Sequence, residues 1–339
     1  MQNPVLVEVL RGGVVESRHS GAVAVVDAGG RPVLAIGDIE RPVYPRSAVK
    51  ALQALALIES GAADRFRLAD EQLALACSSH NGEPAHVATA QSMLASAGLD
   101  AAALRCGPHA PIHQPSAWAL ARSGAEPSSL HNNCSGKHSG FLCVACALGA
   151  DPPTYLEPDR PVQREVHATI ENMTGAMLSE ASRGIDGCSA PTWAMPLRNL
   201  AFGFARFGTG EGLAPARAKA AARLRAACIA HPWHVAGTGR FCTDIMRLFG
   251  ARIFLKMGAE GVLCAAFPNA GLGIAVKCDD GAGRASEVMM ATLIARYVEM
   301  STSERTTLER YLRPTLHNWN GFAIGGLHAT DLLWEEQER

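Results

Sequence analysis

The spacing of apolar and polar residues predicts a sheet built from the two ends of the chain. Near the start, apolar runs of strand length surround Gly12-Gly13 and the turn sequence Asp27-Ala28-Gly29-Gly30-Arg31. Because short turns join these runs, we expect the strands to pair antiparallel. Similar runs return after residue 250. The predicted strands are residues 4–10, 13–16, 20–27, 32–36, 252–256, 260–267 and 271–278.

Helical periodicity dominates the middle of the chain and its end. The predicted helices span residues 47–60, 70–76, 84–98, 141–148, 160–173, 195–207, 214–229, 241–249 and 284–300, with a shorter helix from residue 303 followed by a tail. Residues 99–133 are rich in Pro and His, a composition typical of a loop region that lies over a site.

These elements predict an α/β protein of the α+β type, in which helices flank an antiparallel sheet and form an additional helical subdomain. The strand-rich part is expected to comprise residues 1–45 and 250–339, and the helix-rich part residues 46–249. Since the 339 residues show no internal repeat and no linker, we expect a single composite unit.

Composition narrows the class of protein. Hydrophobic residues make up 48% and charged residues 19%, and the net charge is −1 with no basic block, which argues against binding of nucleic acid or of an anionic membrane. The N-terminus has neither a basic region nor a long apolar stretch, so a cytoplasmic location is expected. In that reducing compartment the ten cysteines should be free thiols.

Lysine is rare in this chain. Of 31 basic residues only five are Lys, namely Lys50, Lys137, Lys219, Lys256 and Lys277. Arginine keeps its proton under all ordinary conditions, whereas a desolvated lysine can lose it. The few lysines are therefore candidates for positions where a neutral amine matters.

The first candidate motif is Ser47-x-x-Lys50, which follows Pro45 at a predicted helix start. Residues three apart are neighbours on a helix, so the hydroxyl and the amine are expected to lie side by side as nucleophile and base. The motif alone is weak evidence, since S-x-x-K occurs by chance about once in a chain of this length. A solvated helix start is the alternative interpretation.

Two further motifs follow in order: Ser79-His80-Asn81 between two predicted helices, and Lys256-Met257-Gly258 at the end of a late strand. The order S-x-x-K, S-x-N, K-x-G is similar to that of the penicillin-recognising serine enzymes and of the glutaminases that share their architecture. In this arrangement the second motif supplies a hydroxyl that relays a proton, and the third an amine that holds this hydroxyl or lowers its pKa.

Over nearly its full length the chain resembles the rhizobial-type serine L-asparaginases, the L-asparaginase II family. Five collinear segments carry the match: residues 44–50, 77–83, 132–138, 186–191 and 256–261. The resemblance implies hydrolysis of L-asparagine to L-aspartate and ammonia by a homodimer with a fold similar to that of serine β-lactamases and glutaminases. It also implies two Ser–Lys pairs, Ser47 with Lys50 and Ser79 with Lys256, and we expect Ser47 to be the nucleophile.

The resemblance further implies a zinc ion near the site, and the residue types agree with it. Cys134 and Lys137 lie three apart at a helix start, and Cys188 lies in a glycine-flanked turn. Two thiolates and a neutral amine fill three of four tetrahedral positions and leave one for water, and Asp186 is expected to orient these ligands. An amine ligand is unusual, so His138 is an alternative to Lys137. Two buried cysteines with an exposed lysine is the non-metal interpretation.

Other polar residues of the matched segments are candidates for substrate binding. Arg46 is expected to bind the substrate carboxylate, and His80, Asn81 and Glu83 to orient the substrate; loop hydrogen bonding explains these last three equally well. Cys242 is expected near the site without a direct role.

The sequence leaves three other functions open. A glutaminase or a β-lactamase-like hydrolase would use the same motifs, although the absence of an export signal argues against the β-lactamase. A zinc-stabilised protein that binds an amino acid at an inactive site is the non-enzymatic alternative, against which the intact Ser/Lys set argues.

Overall fold

The computed structural model describes residues 2–335 and is organised around one eight-stranded antiparallel sheet. The strand order is β11-β12-β1-β2-β10-β9-β8, with β3 paired to β2 off this path. In chain order the strands are β1 (Val5–Arg11), β2 (Val14–Asp27), β3 (Pro32–Ile36), β4 (Pro42–Val43), β5 (Arg183–Ile185), β6 (Pro191–Trp193), β7 (Met195–Pro196), β8 (Phe254–Met257), β9 (Val262–Phe267), β10 (Leu272–Cys278), β11 (Thr315–His317) and β12 (Ala323–Ala329). The predicted antiparallel sheet with flanking helices is confirmed.

Strand β2 joins the two ends of the chain in this sheet. It is a single strand of 14 residues, so the prediction of separate strands at 13–16 and 20–27 was wrong. The polar stretch between them continues the strand, because it pairs with β1 where the strand is only partly buried. From Gly21 onward β2 is mostly buried and pairs with β10. A Cβ atom at Gly21 would lie 2.3 Å from the Lys277 carbonyl oxygen, so only glycine fits this pairing.

Most of the helices occupy the positions that the periodicity predicts. They are α1 (Lys50–Gln53), α2 (Leu55–Glu59), α3 (Ala62–Arg65), α4 (Asp70–Ala76), α5 (Pro84–Ser96), α6 (Gln114–Arg122), α7 (Ser135–Leu148), α8 (Pro161–Thr174), α9 (Leu197–Thr209), α10 (Pro215–Ala230), α11 (Pro232–Val235), α12 (Phe241–Phe249), α13 (Gly283–Tyr297) and α14 (Thr302–Leu312). The region 99–133, predicted to be irregular, contains α6. Helix α7 begins at Ser135, before the apolar run, so its first turn presents polar residues.

The core lies between the sheet and helices α9 and α13. Consecutive residues of β10 from Gly273 to Val276 are all buried, which means that both faces of this strand are covered. Helix α9 approaches closely at Gly273, where a Cβ atom would lie 2.0 Å from the Ala201 carbonyl oxygen. This packing fixes β8, β9 and β10 as a rigid base for the segment that carries Lys256.

The last strand, β12, was predicted to be part of a tail, and that prediction was wrong. Gly325 and Gly326 weaken its strand propensity. They are nevertheless suited to the pairing with β1, because a Cβ atom at Gly325 would lie 1.9 Å from the Leu10 carbonyl oxygen. In the part of the chain that the structure describes, no helix is long and apolar enough to cross a membrane.

Candidate active site

The first motif lies on a tight turn before α1. Residues Arg46–Val49 form a 3-10 turn, and the α-helix begins only at Lys50, so the prediction of one regular helix from Ser47 to Ser60 was wrong. Arg46 adopts a φ of 51°, a conformation that is rare for residues other than glycine and is often found at functional sites. The turn therefore places Ser47 directly after a strained residue.

The second and third motifs meet at the Ser79 hydroxyl. Lys50 Nζ lies 3.1 Å from Ser79 Oγ, and Lys256 Nζ lies 2.9 Å from the same atom. Both lysines are 1% exposed and Ser79 is 6% exposed, so this contact is almost completely shielded from solvent. The structure thus brings three of the four predicted catalytic residues into one hydrogen-bonded group.

Lys50 is surrounded by acceptors that do not include Ser47. Besides Ser79, its Nζ atom lies 2.7 Å from the Ser78 carbonyl oxygen, 3.3 Å from that of Asn133 and 3.1 Å from Cys134 Sγ. An ammonium has only three N–H groups, and these acceptors already use them all. This explains why the predicted hydrogen bond from Lys50 to Ser47 is not seen.

Burial gives Lys256 unusual acid–base properties. Its desolvation, together with the positive charge of Lys50, lowers its pKa to about 7. Lys256 Nζ also lies 2.8 Å from its neighbouring carbonyl oxygen at Met257. In the neutral form its lone pair can accept the Ser79 hydroxyl proton while Lys50 donates to Ser79 Oγ. The group can therefore pass a proton through one hydroxyl from one amine to the other.

Ser47 lies on the turn that packs against the end of β8. It is half-buried, and within residues 2–335 its hydroxyl makes no hydrogen bond. A Cβ atom at Gly258 would lie 2.6 Å from the Pro45 carbonyl oxygen and 3.2 Å from the Ala48 nitrogen, so Gly258 permits the close contact between the two segments. The first and third motifs are thus adjacent, and the Ser47 hydroxyl is available to a substrate.

The predicted substrate ligands His80 and Asn81 are instead bound by the protein. His80 is fully buried; its Nδ1 accepts the Gly82 N–H at 3.0 Å, and its Nε2 donates to Ser135 Oγ at 2.9 Å. Asn81 donates to the Thr238 carbonyl oxygen at 3.0 Å, and its Oδ1 accepts from Arg240 at 3.0 Å. These bonds hold the surrounding loops together, and direct contact of His80 and Asn81 with the substrate stays a prediction.

Glu83 has the same role. Its two carboxylate oxygens accept hydrogen bonds from the Thr238 N–H and hydroxyl, each at 2.8 Å. Burial works to raise the pKa of Glu83, but these bonds outweigh it and the pKa is lowered. The carboxylate thus anchors the loop 237–240, and its contact with the substrate stays a prediction.

Arg46, the predicted carboxylate ligand, already has a carboxylate partner. Its Nε atom lies 2.8 Å from Asp186 Oδ1, and the Asp186 side chain is only 12% exposed. Burial works to raise the pKa of Asp186, but Lys137 and Arg46 outweigh this effect and the pKa is lowered. Asp186 therefore connects the turn of Ser47 to the cysteine-rich part of the site.

The predicted metal ligands come together beside the Ser–Lys group. Lys137 Nζ lies 3.0 Å from Cys188 Sγ, and Lys50 Nζ lies 3.1 Å from Cys134 Sγ. Interaction with Cys188, and the charges of Lys50 and Lys137, bring the pKa of Cys134 well below its usual value against the opposing effect of burial. Interaction with Cys134 and burial raise the pKa of Cys188.

The donor set of this cluster fits zinc. Two sulfurs and an amine nitrogen face one another, and such N and S donors are those that zinc prefers. His138 lies alongside: its Nδ1 is 2.7 Å from the Tyr155 hydroxyl, and its Nε2 is buried without a hydrogen-bond partner in the described part of the chain. Burial lowers the pKa of His138 to about 4, so the ring is neutral. The unpaired nitrogen keeps His138 as an alternative to Lys137.

Two further residues, Arg240 and Cys242, lie near the site. Arg240 donates to Asn81 Oδ1 at 3.0 Å and contacts Met257 Sδ at 2.7 Å, so it links the second motif to the third. Nothing in its local sequence distinguishes it from other arginines except the glycine that precedes it. Cys242 is buried and close enough to Lys256 for their charges to affect each other.

The solved structures that are similar to this chain include two distant ones. One is a beta-lactamase from Mycobacterium bovis, 14% identical, with a TM-score of 0.41, covering 82% of this chain and 95% of that chain. The other is a D-alanine carboxypeptidase from Burkholderia cenocepacia, 12% identical, with a TM-score of 0.37, covering 86% of this chain and 92% of that chain. None of the curated proteins matches the chain.

The comparison with protein families finds a match along almost the whole sequence. A family model described as L-asparaginase II matches residues 7–329, which include all the motifs discussed above. This match confirms the resemblance that the collinear segments indicated. The chain therefore belongs to the L-asparaginase II family and, at the level of that family, is an amidohydrolase acting on a small amino acid.

Proposed function

We propose that the protein hydrolyses the side-chain amide of L-asparagine to L-aspartate and ammonia through an acyl-serine intermediate. The observation that carries the proposal is the Ser79 hydroxyl between two buried lysine amines, 3.1 and 2.9 Å away, in a chain of the L-asparaginase II family. A neutral amine beside a hydroxyl can take up, through that hydroxyl, the proton that a nucleophile releases.

In the acylation step Ser47 Oγ attacks the carboxamide carbon, and its proton passes to the lysine group. Ser47 is proposed as the nucleophile because its hydroxyl is free of protein partners and half-buried, whereas Ser79 is engaged with both amines. The neutral Lys256 is the final acceptor, reached through Ser79. The tetrahedral intermediate then collapses, the lysine group returns the proton to the leaving nitrogen, and ammonia departs.

In the deacylation step water repeats the attack on the aspartyl ester. The lysine group takes a proton from water, the new C–O bond forms, and the proton returns to Ser47 Oγ as the ester bond breaks. The products are L-aspartate and the original enzyme. The same residues thus act as base and then as acid in each half of the reaction.

The nucleophile is tested by trapping the intermediate. We expect Ser47→Ala to abolish ammonia release from L-asparagine, and mass spectrometry of acid-quenched wild-type enzyme to place the aspartyl group on the peptide with Ser47. Ser79→Ala should retain the ability to form the ester at a lower rate. An ester on Ser79, or full activity in Ser47→Ala, would contradict the assignment of the nucleophile.

A substrate panel distinguishes the remaining functions. We expect faster hydrolysis of L-asparagine than of L-glutamine, and none of a chromogenic β-lactam. Preference for glutamine would make the protein a glutaminase. Tight binding of asparagine without turnover would favour the amino-acid-binding alternative.

We also propose one zinc ion per chain, held by Cys134, Lys137 and Cys188. The proposal is supported by the family resemblance and by the donor set, in which Lys137 Nζ lies 3.0 Å from Cys188 Sγ. Bound zinc would supply a Lewis acid at the site. The charges of Cys188, Cys134 and Asp186 raise the pKa of Lys137 against the effect of burial. Zinc binding therefore requires this amine to release a proton. Asp186 would orient the Lys137 amine.

Elemental analysis tests the zinc proposal without reference to activity. We expect about one zinc per chain in the wild type and a loss of zinc in Cys134→Ala and in Cys188→Ala. Lys137→Met and His138→Gln separate the two nitrogen candidates, because only the variant that lacks a ligand should lose affinity. The control is Cys143→Ala, whose thiol lies in the apolar part of α7. Unchanged zinc content in both cysteine variants would refute the site.

The family resemblance also supports a homodimer, and the reduced state of all ten cysteines is compatible with the cytoplasm. Light scattering on the purified protein tests the first point, with a mass twice that of the 35.7 kDa chain as the expected result.

A further inference from the structure

Arg240 is a half-buried cation at the edge of the Ser–Lys group. Its guanidinium is held by two neutral partners, the Asn81 side-chain oxygen at 3.0 Å and the Met257 sulfur at 2.7 Å. A thioether is a weak acceptor, so this contact satisfies a guanidinium N–H poorly. Asn81 and Met257 lie close in sequence to Ser79 and Lys256, which places the guanidinium between the two motifs.

The two arginines of the site differ in how their charges are compensated. Arg46 forms an ion pair with Asp186, with 2.8 Å between Nε and Oδ1. Arg240 has no carboxylate oxygen within 4 Å among residues 2–335. An arginine with a carboxylate partner must give up or share that partner to bind another carboxylate, whereas one with neutral partners gains a charge-assisted bond.

Glu287 is influenced by the charge of Arg240 without forming an ion pair with it. Its side chain is half-buried, and desolvation raises its pKa despite the opposing effect of Arg240. On the other side are Lys50 and Lys256, and the charge of Arg240 is one of the causes that lower the pKa of Lys256. The Glu83 carboxylate lies behind Asn81, whose Nδ2 donates to Glu83 Oε1 at 3.2 Å, so among residues 2–335 this anion reaches the Arg240 guanidinium only through Asn81.

Resting on the proposed function, we infer that Arg240 binds the α-carboxylate of L-asparagine and selects substrates that carry it. An α-carboxylate lies about 4 Å from the side-chain amide carbon in asparagine, so it must be bound close to the reacting group. Arg240 supplies a planar pair of N–H groups there, and the carboxylate replaces the weak contact with Met257. Asn81 then acts as a positioning residue that fixes the guanidinium.

The test compares two substrates that differ only at this carboxylate. L-asparagine is compared with its α-N-methylamide, in which the carboxylate is replaced by a neutral amide. Ammonia from either compound can come only from the side chain, because cleavage of the α-amide would release methylamine. The measured quantity is the ratio of kcat/KM for the two substrates.

The wild type is expected to prefer L-asparagine by about 10-fold to 100-fold or more, the discrimination typical of a charged hydrogen bond. In Arg240→Gln this ratio should fall at least tenfold, chiefly through a higher KM for asparagine, while the KM of the methylamide changes little. Arg240→Lys should recover part of the ratio. Arg46→Gln is expected to lose activity on both substrates and to keep their ratio.

The outcomes separate the inference from the proposed function. An unchanged ratio in Arg240→Gln, in protein whose thermal unfolding matches the wild type, overturns the inference, as does a collapse of the ratio in Arg46→Gln alone. If the wild type hydrolyses neither compound, the proposed function fails. In that case calorimetry measures the affinity for the same two compounds in place of KM. Equal affinities of the wild type and Arg240→Gln overturn the inference, and so does the absence of binding.

Discussion

Lys256 and Lys137 are both almost fully buried, at 1% and 3% exposed, yet their charge states differ. Lys256 faces a hydroxyl and a carbonyl oxygen, with Lys50 and Arg240 nearby, and desolvation lowers its pKa to about 7. Lys137 experiences the same desolvation, but the sulfurs of Cys188 and Cys134 outweigh it and raise its pKa.

The difference shows that burial alone does not decide whether a lysine is neutral. Moving an ammonium out of water is unfavourable at both positions, but only at Lys137 does a facing anion compensate for it. The neutral amine is suited to take a proton from serine. The charged amine is suited to hold two cysteines together until a metal displaces its proton.

The largest expected effect comes from removing the neutral amine. Lys256→Met keeps the length and burial of the side chain but cannot accept a proton from Ser79. We expect kcat on L-asparagine to fall by about 10²–10⁴-fold at pH 8, the usual contribution of a general base. Steady-state ammonia release measures this change.

Lys219→Met is the matched control, because Lys219 is exposed on α10 and far along the chain from the motifs. Its activity should equal that of the wild type. If Lys256→Met retained activity within a few-fold of the control, Lys256 would not be the base.

Replacing Lys137 should lower the stability of the protein more than replacing Lys256. In metal-free protein, Lys137→Met removes the amine that lies 3.0 Å from Cys188 Sγ, and we expect the free energy of unfolding to fall by about 1–3 kcal/mol. Lys256→Met removes an amine that must lose its proton on folding at pH 8, so the free energy of unfolding should stay the same or rise. Denaturant unfolding at pH 8 measures both, and equal losses would contradict the assigned charge states.

The pH profile of the wild type tests the neutral amine directly. Below pH 7 Lys256 is protonated and cannot act as a base; above pH 7 it is neutral. We therefore expect kcat to rise with pH by about tenfold per unit below pH 7 and to level off above it. A flat profile between pH 5.5 and 8, in enzyme shown to remain folded, would exclude Lys256 as the titrating base.

The sequence indicated which residues meet at the Ser79 hydroxyl more clearly than it indicated the local structure around them. Ser79, Lys50 and Lys256 were recognisable because each lies in a short motif, and the three motifs occur in a distinctive order. The distortion of the turn at Arg46 was not predictable, since nothing in the residue type announces a φ of 51°. The turn packs closely against Gly258, which is far away in the sequence.

The roles of His80 and Asn81 show the same limit. Their residue types suit both substrate binding and loop hydrogen bonding, and only the three-dimensional partners decide between the two. Strand β12 was missed because its glycines are selected by the proximity of β1 and not by strand propensity. Contacts between residues far apart in the sequence, such as those of Arg240, leave no pattern in the local sequence.

The smallest expected effect tests how far the cations around Lys256 contribute to its neutrality. Arg240→Gln removes one positive charge, so the ammonium form of Lys256 becomes less unfavourable and its pKa should rise. The acid limb of the kcat profile should therefore move to higher pH, by roughly half a unit or less, because desolvation and Lys50 remain the larger causes. The shift should shrink at high salt if it is electrostatic. A shift to lower pH would mean that the variant acts by opening the site to water, and that the low pKa of Lys256 owes little to its charged neighbours.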